Sequence, residues 1–424
     1  MLAALCGVLC STARAQDRDG ARDAQNPTAP RSAPPQTGAR EEPTPRISIG
    51  PPTVETKAGH QQLGDSQPVP QPTPADGSGA KTTAKKKKRR GEFVIAPIPT
   101  HSPVLGSGLD LGVGYIFQLD PNDKVSPPSA VGAGGFFTSN GSKGFGLGGK
   151  LYLKEDRYRL TAAAGRGHVN YDFFGTGLIN GNAGVSIPIK SDGKFLFGEL
   201  LRRVAPHVYV GGRFQYRKLD ISIAPDVGGG SHRIEIPEIE LNAQTVALGL
   251  KASRDTRDDS FYPTAGSSLD FTGDFFDQAW GSRFEYQTYK LSFNKYERLS
   301  AHQVLAFRAT VCAANGRVPF YDLCLYGASN DLRGYTAGRF QDRRMFATQA
   351  EYRRELPKRL GLVAFGGVGG VARELNEFRS DALLPAAGLG LRFRLTKKTH
   401  VNFRADYAVG RDGHTVTVGI GEAF

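Results

Sequence analysis

The first 92 residues contain no phenylalanine, tyrosine or tryptophan. All 25 Phe, 15 Tyr and the single Trp of the 424-residue chain lie beyond them. A segment without aromatics and with few large apolar side chains cannot fill a packed core, which excludes one uniform globular fold. Long apolar runs are missing too. Past the N-terminus nothing approaches the roughly 18 apolar residues of a membrane helix, so a helical membrane protein is excluded. Cysteine (four) and methionine (two) are scarce. Glycine and positive charge are plentiful: 53 Gly, and 54 Lys and Arg against 41 Asp and Glu, a formal charge of +13. With 39% hydrophobic residues the average is that of a soluble basic protein. The distribution argues against that average, because 12 of the 26 prolines but only nine of the glycines fall before Phe93. Two physically different polymers join there.

Leu2 to Cys10 is almost wholly apolar or small, and Ala13-Arg14-Ala15 follows as an A-x-A pattern. Residues 1–15 therefore read as a secretory signal peptide cleaved after Ala15, although a basic n-region is lacking. Cys6 and Cys10 fall inside it. Residues 16–92 read as a disordered, Pro-rich and basic segment, with Pro34-Pro35, Pro51-Pro52 and the alternating Pro68, Pro70, Pro72 and Pro74. It ends in Lys85-Lys86-Lys87-Lys88-Arg89-Arg90. Behind a signal peptide this run is not a nucleic-acid signal. Two readings stay open: a basic collar at an anionic membrane surface, and a plain soluble spacer.

From Phe93 the dominant period is two. Val208, Val210, Gly212, Phe214 and Tyr216 alternate with His207, Tyr209, Gly211, Arg213 and Gln215. Ala387, Leu389, Leu391, Phe393 and Leu395 alternate with Gly388, Gly390, Arg392, Arg394 and Thr396. Such segments are half-buried strands. Strands are expected near 105–118, 129–138, 143–153, 157–170, 183–203, 205–218, 241–254, 266–276, 284–296, 302–313, 344–354, 360–372, 385–396, 400–410 and 414–424. A sixteenth is sought in 93–100 or in a division of 183–203. In 284–296 the apolar phase changes between Tyr286 and Tyr289, which predicts a bulge. The spacing suits the 9–11 residues that cross a bilayer.

A soluble sandwich would bury the apolar face; a transmembrane antiparallel β-barrel turns it to lipid and keeps the arginine- and glycine-rich face in a lumen. The barrel over 93–424 is the better reading. Its last strand carries Val416, Val418 and Ile420, is interrupted by Glu422, and ends on Phe424, which resembles the C-terminal signal of outer-membrane barrels.

Several motifs resemble the BamA/TamA family, of the bacterial surface antigen type. Gly316-Arg317-Val318-Pro319-Phe320 leads to Leu332-Arg333-Gly334-Tyr335, then to Gly338-Arg339-Phe340 and Ala350-Glu351-Tyr352-Arg353. This is similar to the family's sixth surface loop, whose Arg-Gly-aromatic tip docks inside the lumen. Asp255, Arg257, Asp258, Pro263 and Gly266 are similar to its periplasmic hairpin. Phe173-Phe174-Gly175-Thr176-Gly177 and Gly388-Leu389-Gly390-Leu391-Arg392 also match. The resemblance implies a barrel in the outer membrane with its N-terminal segment in the periplasm. It implies lipids, and client outer-membrane or secreted proteins, as partners. It would set the strand near 105–118 beside the last, at a seam able to pair with a client strand, where Gly106, Gly108, Gly112 and Gly114 either weaken pairing or merely form crowded wall.

Two departures qualify the resemblance. Gly367 stands where the family has an inward Asp, so Glu351 and Asp406, the latter beside Arg392, remain as partners for Arg333. Otherwise Arg333 lies in a solvated turn. Residues 16–92 hold no POTRA domain. Gly144-Phe145-Gly146-Leu147-Gly148-Gly149-Lys150 mimics a P-loop, but Leu151 replaces the Ser/Thr and no helix follows. The eight histidines lack ligand spacing. An enzyme, a cofactor, a metal, a nucleic-acid partner and a small-molecule substrate are therefore not expected. Cys312 and Cys324 form an even pair that suggests a disulfide, against two separate thiols. The expected function is outer-membrane protein insertion or translocation; the alternative is a passive pore or structural barrel.

Overall fold

The computed structural model describes residues 91–223, 241–328, 330–395, 400–411 and 413–424. The signal peptide, the Pro-rich segment and the basic run lie outside the described residues. From Gly91 the strands are β1 (Gly91–Ser102), β2 (Gly106–Phe117), β3 (Ser129–Thr138), β4 (Lys143–Leu153) and β5 (Tyr158–Phe173). A short helix, α1 (Gly177–Ala183), precedes β6 (Ile187–Ala205), β7 (Val208–Ile223), β8 (Asn242–Asp255), β9 (Gly266–Phe276), β10 (Tyr286–Ser300) and β11 (Gln303–Gly316). A small hairpin, β12 (Cys324–Tyr326) and β13 (Phe340–Asp342), lies in the following loop. Then come β14 (Arg344–Glu355), β15 (Leu360–Ala372), β16 (Leu384–Arg394), β17 (Asn402–Gly410) and β18 (Gly413–Ile420). All but β12 and β13 form one closed antiparallel barrel of sixteen strands.

All fifteen expected strands are present. The sixteenth is β1, while β6 is a single strand of 19 residues. This corrects the expected seam: β1 stands between β2 and β18, so the strand near 105–118 does not meet the last one. The predicted bulge is also absent. Tyr286 to Tyr296 pair without a shift to Phe276 through Gly266, and the irregularity falls later, between Arg298 and Ser300. The phase change has another cause. Phe284 and Tyr286 point into the lumen and pack with Phe276, Val318 and Tyr321, whereas Leu291 and Phe293 point outward. The inner face turns apolar where it meets a packed loop rather than water.

The outer face follows the two-residue period closely. Leu389, Leu391 and Phe393 on β16, and Tyr407 and Val409 on β17, are all exposed. Such a band fits hydrocarbon. The inner wall of β2–β5 is built instead from glycine. Gly112 pairs with Gly134, Gly134 with Gly146, and Gly146 with Gly165. The P-loop-like run is part of this wall, lying within β4. The short hairpins at 154–157, 206–207, 301–302 and 356–359 share one end of the barrel with Gly91, where β1 starts, and with Phe424; the 317–343 loop leaves the other end.

Leu389→Arg places a charge on the lipid side of a central strand. It is expected to cost about 2–4 kcal/mol near the bilayer midplane. Urea titration of the protein in vesicles measures this, and an unchanged midpoint would contradict the inside-out reading.

Candidate functional site

Every element of the site is held by the 317–343 loop. At its base Phe320 packs on Phe173, with ring centroids 4.7 Å apart. Asp322 pairs with Arg217, accepting from Nη1 at 2.8 Å, and also accepts from the Tyr286 hydroxyl. A disulfide joins Cys324 on β12 to Cys312 on β11. The Tyr326 hydroxyl donates to the Leu384 carbonyl at 2.5 Å. Residues 174–183 pack on the same loop: Arg339 Nε donates to the Gly181 carbonyl at 3.1 Å, and Gln341 Nε2 to that of Gly175 at 3.4 Å. The loop is thus tied to the inner wall rather than lying in solvent.

Its tip is Asp331 to Tyr335. Asp331 is buried and accepts from Arg308 at 2.8 Å, Thr310 at 3.1 Å and Lys290 at 3.2 Å. Arg333, only 2% exposed, donates through Nη1 to Asp406 Oδ2 at 2.8 Å and through Nη2 to Glu351. Nε and Nη2 both reach Gln349 Oε1 at 3.2 Å. The guanidinium also lies over the Phe365 ring, 3.5 Å from its centroid. Gly334 has φ +120, and a Cβ there would lie 2.7 Å from that of Ala386, so only glycine fits. The Tyr335 hydroxyl donates to the Pro385 carbonyl at 2.6 Å and accepts from the Arg411 amide at 3.0 Å.

Gly367 now has a physical reason. A Cβ on it would sit 2.1 Å from the Thr348 backbone oxygen and 2.8 Å from Leu332 Cδ1, so the neighbouring strand and the loop's own leucine together leave no space for an inward side chain. Its partner across the ladder is Gln349, and that amide supplies the acceptor. Sequence reasoning missed Gln349 and Phe365 as site residues, and named Arg353 and Glu422 without giving them a place in the site. The detectable signal was their position: Gln349, Glu351 and Arg353 stand two apart and share one face of β14.

These residues close a ring of alternating charge. Glu351 accepts from Arg353 at 2.6 Å, and Arg353 lies 3.9 Å from Glu422. Glu422 accepts from Arg392 at 2.8 Å, and Arg392 donates to Asp406 at 2.6 Å. Asp406 returns to Arg333, and Arg404 approaches the same carboxylate at 3.4 Å. Glu422 interrupts the apolar alternation because Gly421, at φ +86, turns the chain out of β18 and into the lumen. Phe424 follows it inward: its backbone oxygen accepts from Arg353 Nη2 at 3.0 Å, and its ring lies 5.5 Å from that guanidinium.

The β8–β9 hairpin lies below this ring. Arg257 grips Asp255 with two bonds of 2.9 Å. Asp258 accepts from the Thr264 amide at 2.9 Å, the Ala265 amide at 3.1 Å and the Thr264 hydroxyl at 2.5 Å. Pro263 is buried beside Tyr262, and Gly266 leaves the turn at φ +94. The Tyr262 ring lies 6.0 Å from the Arg353 guanidinium, so the hairpin touches the ring's lower edge. Burial raises the Asp258 pKa, but the Thr264 hydroxyl and the Thr264, Ala265 and Asp259 amides outweigh it, leaving a net value below 3.8.

Together these features define an outer-membrane β-barrel with a lumen-docked loop. The chain belongs to the Omp85 superfamily, whose domain model matches residues 134–424. No curated protein matches it. Its fold resembles that of BamA from Haemophilus ducreyi lacking POTRA domains 1–3, at 17% identity and TM-score 0.52, covering 78% of this chain and 70% of that one. It also resembles CdiB from Acinetobacter baumannii, at 13% identity and TM-score 0.51, covering 78% of this chain and 60% of that one. CdiB from Escherichia coli follows at 11% identity and TM-score 0.51, covering 78% and 67%.

Two predictions follow from the geometry. The wall alone balances Arg353, Arg392 and Arg404 against Glu351, Asp406 and Glu422. Arg333→Ala therefore strands no net charge; it removes charge-assisted hydrogen bonds, each worth about 1.5–3 kcal/mol. Hydrogen exchange over 317–343 is expected to rise while the strands stay protected, and unchanged exchange would contradict docking. For Asp258 the folded pKa is depressed. Its contribution is fully present above the unfolded value near 3.8 and is lost as pH falls through the lower folded value. Asp258→Ala, at a cost of about 1–3 kcal/mol, should abolish that acid sensitivity in proteolysis of residues 256–265.

Proposed function

We propose that this barrel takes part in the insertion or translocation of proteins at the outer membrane, with its N-terminal segment on the periplasmic side. The observation that carries the reading is the seam. β1 meets β18 at one paired position, His101 opposite Val418, whereas β17 and β18 pair from Phe403 to Gly410 and β5 and β6 from Tyr158 to Phe173. Two sparsely paired edges therefore face each other. An incoming strand can add to such an edge through its main chain.

Pro97 and Pro99 support the same reading. Standing two apart, they remove N–H donors from one side of β1. The ladder to β2 runs unbroken from Gly91 to Ser102, so the deficit fits the side turned to β18. The loop folded onto the inner wall weighs against a passive pore.

The test uses the full chain in phosphatidylcholine vesicles and an unfolded client barrel. Client folding is expected to be faster than in empty vesicles. It should fall back to the empty-vesicle rate when His101→Cys and Val418→Cys are joined by a disulfide. Equal rates with and without the protein would sink the reading. Solute-dependent swelling without faster client folding would favour the pore.

A further inference from the structure

The lipid-facing side of β2–β6 carries a feature that the seam does not use. A groove of about 630 Å³ opens on the outer wall. Its floor is made of small residues, Ala133, Gly149, Ala162 and Ala164. Its sides are Val131, Leu147, Leu160 and Leu196. The register explains the shape. Val131, Gly149, Ala162 and Gly198 follow one another across β3 to β6, and next to them run Leu151, Leu160 and Leu200. On β9 to β11, by contrast, Phe271, Leu291 and Val311 form an unbroken row of large side chains.

At the hairpin end the groove's leucine row gives way to a polar one. Tyr158 and Arg202 are cross-strand partners, two residues beyond Leu160 and Leu200 on the same face, about 7 Å along the strand. Lys154 reaches back over the Tyr158 ring, its Nζ 5.9 Å from the centroid. Lys154 and Arg202 are both exposed, and among the described residues no carboxylate forms an ion pair with either. Two unpaired cations and a phenol thus stand one row beyond an apolar depression, at the level where a bilayer presents its headgroups.

We infer that this groove is a binding site for an anionic glycerophospholipid. One acyl chain lies over the Ala133, Ala162 and Ala164 floor, and the headgroup phosphate pairs with Lys154 and Arg202. The inference rests on the membrane-spanning fold and stands apart from the seam's proposed activity.

The test is photolabelling of the full chain in phosphatidylcholine vesicles doped with phosphatidylglycerol that carries a diazirine on one acyl chain, followed by peptide mapping. Adducts are expected on residues 131–133, 147–151 and 160–164, in excess over those on the Phe271, Leu291 and Val311 face. Lys154→Gln with Arg202→Gln should lower groove adducts about fivefold for each cation removed. The same pair should lower labelling by a phosphatidylcholine probe much less, because choline offsets the charge of its phosphate. Ala162→Leu with Ala164→Leu, which fills the floor, should lower labelling by both probes. Heat-modifiable gel migration reports that each variant has folded. Even labelling around the circumference would overturn the site. Equal labelling by the two probes, unmoved by the Lys154 and Arg202 changes, would overturn the headgroup assignment.

Discussion

The structure turns on one buried guanidinium. Arg333 is carried by a loop and ends inside the barrel, where an ion is tolerated only if it is paired and its hydrogen bonds are filled. That requirement recruits residues from three strands: Gln349 and Glu351 on β14, Phe365 on β15, and Asp406 on β17. The two carboxylates, Glu351 and Asp406, then take further partners, and Arg353, Arg392 and Glu422 complete the ring. Because each charge in it satisfies two others, the loop, the last strands and the turn after β18 are specified together. Arg392 and Arg404 stand directly opposite on the ladder, an unfavourable pairing by itself. Asp406 accepting from both is what makes it tolerable.

The same constraint explains why an average of composition misleads. A strand facing lipid on one side needs an apolar residue only at every second position. The other positions here are charged or apolar where they meet the loop, and largely glycine on β2 to β4 where they do not. Gly112, Gly134 and Gly146 make a thin wall, and the arginines concentrate on β14 to β17. The positive charge is an attribute of a lumen and a tail, and carries no implication of a nucleic-acid face.

Strand positions were legible because period two is a local property. Val208 to Tyr216 and Ala387 to Leu395 show it in plain alternation. What stayed hidden depends on contacts distant in sequence. β1 escaped firm placement because Pro97 and Pro99 disguise a strand that is tolerated beside a sparse edge. The apparent slip at Tyr286 was a change in what the inner face touches, which no local pattern reports. Gln349 was invisible as a partner because its role follows from Gly367 opposite it and from Leu332 filling the gap. The Arg-Gly-Tyr tip was legible only through resemblance, since nothing within its own few residues says where the arginine ends.

The placement of these features makes the barrel mechanically uneven. Through the ring, the loop ties β14 and β17 together with charge-assisted hydrogen bonds from one guanidinium. On the other side of the seam, β2 to β5 turn glycine inward and offer the lumen little to pack. The seam between β1 and β18 joins these unequal halves through one paired position. The strands next to the seam are therefore the less tied part of the barrel, and the loop-bearing strands the more tightly cross-linked. The outer groove at Ala133 and Ala162 lies on that less tied part, so small residues thin this wall on both faces.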